Sequence, residues 1–285
     1  MIFILDDEII VSEKWFIKGK QLITAENGPI PFLVTDCNSN IIKNIDFQLR
    51  KHSSFLDLRS KRRNILDNFL ESFVQIPEKK YSMQKTPVTQ ELYEKIIGEK
   101  PSTFECEDNP VENVSWYDAV YFCNKLSKFF GLEPVYSVDG KKNISEWNYV
   151  PNTGDSIPTK IIQDKNANGF RLPTIKEWQY AANGNQNYIY SGSDNLNEIG
   201  WCRDNCNSQI HPVAQKNPNG YGLYDMSGNI WEWCWDFSEE YYKHHSLCGG
   251  SWIDEESDCL VTAQIYNSAC FRFCNIGFRV VRTTK

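Results

Sequence analysis

Positive charge is what this chain of 285 residues has too little of: its formal net charge is −7. A basic face for nucleic acid or an anionic membrane is therefore not expected. The one basic cluster, Arg59–Arg63 (RSKRR), reads as the solvated side of a helical stretch. Histidine is scarce, with four residues, and His52, His211, His244 and His245 do not flank cysteines at zinc spacing. Ten cysteines are present, yet neither Cys202/Cys206 nor Cys270/Cys274 makes a CxxC. They read as buried or incidental thiols, with disulfides open to an exported protein. No apolar run reaches the length of a membrane span. The start, MIFILDDEII, lacks the basic beginning, long apolar stretch and small-residue cleavage site of a signal peptide. An intracellular protein fits that, and so does a chain from which an export segment has been removed.

Aromatic residues are abundant, nine tryptophans among them, which suits an irregular fold whose loops are pinned by large rigid side chains. Residues 1 to 75 form a small α+β lead-in. Val11 to Leu49 alternates short apolar runs with turn signals, as small strands do, and the apolar spacing from Phe55 to Val74 predicts an amphipathic helix. Three further helices have readable starts. Thr89 precedes QELYEKII, which Gly98 ends. Ser115 and Asp118 form a capping box before a helix closed by Gly131, and Thr174 with Glu177 does the same before Gly184. Beyond Gly184 the chain is rich in Gly, Asn, Ser and aromatics, and irregular stretches of such length in a compact domain are usually functional or tightly pinned.

Five stretches in order carry a family resemblance: YSMQKTPVTQELY, NPVENVSWYDAVYFCNKLS, GFRLPTIKEWQYAANG, HPVAQKNPNGYGLYDMSGNIWEWCWD, and GGSW followed by IGFRVV. The set resembles the formylglycine-generating-enzyme, or sulfatase-modifying-factor, family over residues 76–285. That implies an α+β fold of the C-type-lectin-like kind, with two or three helices around a small twisted antiparallel sheet and much irregular ordered chain. The resemblance also implies a calcium ion held by Asp225, Gly228, Ile230 and Glu232, through carboxylates from the first and last and main-chain carbonyls from the middle two. Oxygen ligands around a glycine turn suit a hard cation; the alternative is that the carboxylates cap turn amides.

The family's oxidation of a substrate cysteine uses two cysteines five apart that bind copper, since thiolates suit Cu(I). Registered on Gly249-Gly250-Ser251-Trp252, the first cysteine position holds Asp254 and the second Cys259. The pair is incomplete, so no catalytic residue and no catalytic cofactor is assigned. A divergent copper-dependent oxidase using Cys259 is the alternative. The last segment also resembles the variable proteins of diversity-generating retroelements, which share this fold and end in GGSW, a hypervariable stretch and IGFR. Residues 249–282 are then a variable ligand-binding segment. Its diversified positions are Ile253, Asp254, Asp258, Leu260, Ile265, Tyr266, Asn267, Ser268, Cys270, Phe271, Phe273, Cys274 and Asn275, each reachable from an asparagine codon by changing adenines alone. Glu255, Glu256 and Gln264 are not reachable. Cys259, Arg272, Ile276, Gly277, Phe278 and Arg279 read as scaffold. The resemblance implies a monomeric, non-catalytic protein, exported or on the cell surface, whose ligand is a protein.

Overall fold

The computed structural model describes residues 69–284, apart from positions 155, 241 and 242, and the backbone of five short strands near the start. The chain divides into two units, Met1–Ile65 and Leu66–Lys285. In the first, β1 (Ile2–Leu5) pairs antiparallel with β2 (Glu8–Val11), and β3 (Trp15–Lys18), β4 (Gln21–Thr24) and β5 (Gly28–Ile30) form an antiparallel sheet. Those are short strands of the expected kind; residues 31–68 lie outside the described residues. Of the helix expected over Phe55–Val74, residues 69–71 are helical but the end differs. The Ser72 amide and hydroxyl both donate to the Phe69 carbonyl (3.1 and 2.6 Å), which closes the turn. The next residues become β6 (Phe73–Gln75), which pairs with β7 (Tyr81–Gln84). Tertiary pairing thus overrides the helical pattern, and the second unit starts ahead of residue 76.

The helices of the second unit begin where the sequence signals place them. In α1 (Gln90–Ile97) the Thr89 hydroxyl accepts from the Leu92 amide, and Gly98 ends the helix at φ 90°. Both α2 (Trp116–Phe129) and α3 (Ile175–Asn183) have the full capping box, Ser115–Asp118 and Thr174–Glu177. Each box satisfies amides that a helix start leaves without intrahelical partners. In the chain between α2 and α3, β8 (Tyr136–Val138) pairs antiparallel with β9 (Ile161–Gln163). One four-stranded sheet runs β10 (Phe170–Arg171), β15 (Val281–Thr283), β7, β6, so the two ends of the unit share it. The other runs β13 (Gln264–Ser268), β12 (His244–Cys248), β11 (Trp231–Phe237), β14 (Ile276–Gly277). These sheets are antiparallel, as expected, except at one edge, where the two-residue β14 pairs parallel with β11 (Trp231 opposite Ile276). The chain returns from β13 through an irregular stretch and enters β14 in the same direction as β11.

Apolar faces meet in two main clusters. In the first, Trp116, Phe122 and Leu126 of α2 pack with Phe170, Trp233 and Phe278. In the second cluster, α3 buries Trp178 and Ala181 against Met83, Cys234, Cys248 and Val281. Tryptophans also pin the irregular chain, as their number suggested. Trp116 Nε1 donates to the Cys234 carbonyl and Trp233 Nε1 to that of Val114, each at 2.9 Å.

Between the clusters lies an ion pair with no exposure on either side, Arg279 with Glu232. Arg279 Nε and Nη2 donate to the two carboxylate oxygens at 2.6 Å each, and Trp178 Nε1 donates to the same carboxylate at 2.7 Å. The remaining guanidinium hydrogens reach the carbonyls of Gln84 and Lys85 (3.3 Å each) and of Tyr224 (2.9 Å). A guanidinium has five N–H donors, and every one is used. This group joins the end of β7, the turn before β11, β11 itself and α3 to the C-terminal segment.

Breaking such a pair from one side leaves a buried charge alone, which typically costs about 3–5 kcal/mol. Arg279→Met is therefore expected to lower the unfolding free energy by about that amount in denaturant titration. Combined with Glu232→Gln it should cost less than the two single changes summed. A single-variant loss of about 0.5 kcal/mol, the size of an ordinary surface change, would show that the pair does not hold the unit together.

Candidate functional site

The segment from Gly249 to Asn275 leaves β12, crosses a loop, forms β13 at the edge of its sheet and returns to β14. Its entry depends on glycine. Gly250 has φ +73°, and a Cβ there would stand 2.6 Å from the Asp258 carbonyl oxygen and 2.7 Å from Cys259 Sγ. The close approach fixes the loop over a fully buried Cys259, whose thiol faces the Glu255 carbonyl at 3.6 Å.

The expected diversified residues fall into three groups. Ile265 and Tyr266 on β13, with Cys270, Phe271 and Phe273 after it, are exposed; the two Phe rings stack at 5.8 Å with planes 15° apart. Asp258 is exposed too, on the short turn Glu256–Asp258. A second group is half-buried. Ile253 and Cys274 pack beside Trp252 and Phe104, and Leu260 packs beside Cys259. Asn267 and Ser268 close the end of β13, where the Ser268 hydroxyl meets Cys270 Sγ at 3.2 Å. Asp254 accepts from Trp231 Nε1 (2.8 Å) and from the Ser251 hydroxyl, and burial raises its carboxyl above the ordinary range. Asn275 departs from the expected surface position. It is 6 % exposed, its amide donates to Ser251 Oγ (2.9 Å) and its carbonyl accepts from the Trp231 amide (2.9 Å). A residue that closes the turn into β14 must satisfy its polar groups inside, and Asn275 does.

Arg272 shows how the exposed group is held. It sits between Phe271 and Phe273 but turns inward, donating through Nε to Asp118 Oδ2 (2.8 Å) and through Nη2 to the Tyr149 hydroxyl (2.9 Å) and the Gly154 carbonyl (2.8 Å). Asp118 is the capping carboxylate of α2, has no exposure, and also accepts from Tyr149 and from the Asn152 amide (2.8 Å each). Backbone bonds finish the anchoring: the Trp116 amide donates to Ala269 and the Asn113 amide to Phe273, each at 3.0 Å. Main chain and Arg272 face the scaffold while both phenylalanines face solvent. Sequence reading found Arg272 as scaffold and Asp118 as a helix cap, but not their pairing. Nothing short-range signals it, since 154 positions separate them.

Copper chemistry has poor material here. The position of the first family cysteine is a carboxylate held by Trp231 and Ser251, and burial pushes the Cys259 thiol far up, against the thiolate that copper needs. Cys202, which packs in the same small cluster, is shifted in the same direction by burial. The calcium residues fit no better. Both oxygens of Glu232 are taken by Arg279 and Trp178, so a dication would have to share that carboxylate with a guanidinium. Asp225 caps the Ala214 amide (2.8 Å) and meets the Asn229 amide group (3.4 Å), with burial pushing its carboxyl up to about 6. Asp225 thus caps a turn amide, as the alternative has it, whereas Glu232 caps none and is held by Arg279 and Trp178. Among the described residues no group of three or more His, Cys, Asp or Glu could hold a metal ion. No helix among them is long and apolar enough to cross a membrane.

Comparison with known proteins adds a lineage to this geometry. The sulfatase-modifying factor enzyme 1-like domain matches residues 63–284. A chaperone protein, LppX, of Paenibacillus barcinonensis is 38 % identical over 227 residues, covering 70 % of this chain and 79 % of that one. The formylglycine-generating enzyme of Streptomyces coelicolor is 33 % identical over 144 residues, 39 % of this chain and 46 % of the enzyme. Among solved structures, Treponema denticola variable protein 1 superposes with a TM-score of 0.67 at 32 % identity, covering 74 % of this chain and 91 % of that one.

With Glu232 committed to Arg279, removing calcium should not matter. Melting curves of the protein with and without chelator, after verified metal removal, are expected to coincide. A bound ion at a hundred times its dissociation constant would instead add about 2.7 kcal/mol, and a chelator-induced fall of the melting temperature that is absent in Asp225→Ala would restore the ion.

Proposed function

The chain belongs to the sulfatase-modifying factor enzyme 1-like family, and on that premise we propose that it is a non-catalytic binding protein. Its C-terminal face carries residues diversified by a retroelement and recognises a partner, a protein in the first instance, from an exported or cell-surface position. One observation carries the reading: Phe271 and Phe273 are 39 % and 47 % exposed and stacked on each other, while Arg272 between them is locked inward on Asp118. Exposed, contiguous apolar surface marks interaction sites, and rigid aromatics supply contact area at low entropy cost. Ile265 and Tyr266 are also exposed, on the edge strand β13. Similarity to a variable protein supports diversification of this face, and similarity to a chaperone protein supports a protein as its ligand. Against oxidase chemistry stand the carboxylate at position 254 and the burial of Cys259.

Three tests decide it. The variant with Tyr266, Phe271 and Phe273 all replaced by alanine is expected to fold, each change shifting stability by about 0.5 kcal/mol or less. Phe278→Ala, which removes a fully buried ring, should cost about 3–5 kcal/mol and serves as the contrast. A triple variant that does not fold would make the aromatics structural and end the binding-face reading. At the gene, the reading expects a near-copy of the segment differing mainly at adenines, beside a reverse transcriptase. Separately, incubation with copper, reductant and a cysteine-containing sulfatase peptide should leave the peptide unchanged by mass spectrometry. Aldehyde formation that is lost in Cys259→Ser would establish the oxidase instead.

A further inference from the structure

Inside the variable segment lies an edge strand whose outer main chain is open. Strand β13 pairs with β12 on one side and with no strand on the other. In an antiparallel pair, residues that exchange bonds with the partner strand alternate with residues whose N–H and C=O point away from it. The Ala269 amide donates to the Lys243 carbonyl at 2.8 Å, and the register runs on unshifted through Asn267 opposite His245 and Ile265 opposite Leu247. Ala269, Asn267 and Ile265 therefore bond inward to β12, while Ser268, Tyr266 and Gln264 turn their main chain outward. Ser268 is satisfied locally: its amide donates to Asn267 Oδ1 (2.8 Å) and its carbonyl accepts from the Phe271 amide (2.9 Å). Among the described residues nothing meets the outward N–H and C=O of Tyr266 or Gln264.

Such edges recruit other strands, and proteins blunt them by shortness, by charge or proline, by bulges or by cover. Strand β13 is five residues long, whereas the other edge strands of the second unit, β6, β8, β9, β10 and β14, have two or three each. Its sequence, QIYNS, has neither charge nor proline, and its pairing with β12 has no bulge. Gln264, Ile265 and Tyr266 are exposed, so the described residues do not cover that part of the strand. None of the four devices is present there.

We propose that β13 takes an extended segment of a polypeptide partner as an added strand, with Tyr266 and Gln264 bonding to its main chain. Hydrogen-bond complementarity selects this occupant: donors and acceptors repeating along an open strand match a peptide backbone. Ile265 and Tyr266 lie on opposite faces of the strand and favour aliphatic or aromatic side chains beside them. The turn that the Phe271 amide closes on Ser268 starts the stacked ring pair where β13 ends, so edge and rings are consecutive parts of one segment. The inference rests on the binding-face reading for the partner being a protein. It adds a division of roles: the main chain attracts whatever residues diversification installs, and the side chains at 265 and 266 choose.

The probe is a capped peptide, Lys-Thr-Val-Thr-Val-Thr-Lys, beside the same peptide N-methylated at all residues between its lysines, which keeps side chains and charge but removes the main-chain donors of both edges. On isotope-labelled protein, the plain peptide at millimolar concentration is expected to shift the Gln264 and Tyr266 amide resonances and to slow hydrogen exchange at Tyr266. The methylated peptide should bind about tenfold more weakly, the scale of a lost hydrogen bond. Tyr266→Pro removes the outward N–H without breaking a bond to β12, where an edge strand tolerates proline, and should weaken the plain peptide by a similar factor. Tyr266→Ala keeps the main chain and should weaken it by only about twofold, within the range of one cross-strand side-chain pair. If Tyr266→Pro does not fold, the two peptides on the native protein still decide. Resonances unmoved by the plain peptide, equal binding of both peptides, or equal losses in Tyr266→Pro and Tyr266→Ala would overturn the docking edge and leave the aromatic face untouched. Sedimentation that finds the native protein dimeric and Tyr266→Pro monomeric would give the edge to a second copy of this chain, which also overturns the partner strand.

Discussion

A buried guanidinium with all its hydrogens occupied is the constraint on which the second unit depends. Arg279 leaves the C-terminal segment and meets β7, the turn before β11, β11 and α3 at one point. Burying an ion pair is not in itself strongly stabilising, because desolvation offsets most of the attraction. What the pair contributes is uniqueness: a carboxylate and a guanidinium that are both out of water accept only arrangements that satisfy every donor and oxygen. With so little regular structure, a few such points must fix long loops, and the tryptophan indoles on main-chain carbonyls repeat the device at lower stakes.

A second ion pair, Arg272 with Asp118, applies the same logic at the surface. Asp118 first caps α2, which places its carboxylate rigidly at the helix start, where negative charge is favoured. The arginine then ties the last loop to that fixed point and leaves its neighbours free. Anchoring and display are thus assigned to alternating residues of one short stretch. A face built this way can change its chemistry without asking the core to repack, which is the property a diversified surface requires.

Much of this was legible in the sequence for a physical reason. Helix starts depend on three or four consecutive residues, so Ser115–Asp118 and Thr174–Glu177 could be read directly. The lectin-like fold was legible because five motifs preserve the turns and tryptophans that pin its loops. What was not legible involved long-range partners. Glu232 reads as a calcium ligand until Arg279 is seen across the strand, Asn275 reads as a surface position until its amide is seen on Ser251, and Phe73 reads as helix until β7 is seen beside it.

The alternation around Arg272 has a consequence for how this segment can change over time. Successive side chains point to opposite sides of an extended chain, so a shift by one residue exchanges the inward and outward sets. An insertion or deletion between Ser268 and Ile276 would turn the guanidinium to solvent and aim a phenyl ring at the Asp118 carboxylate. Replacements leave the count unchanged and cost little. The stretch is therefore permissive in composition and strict in length, and a process that rewrites bases without adding or removing them can explore it without unfastening the fold.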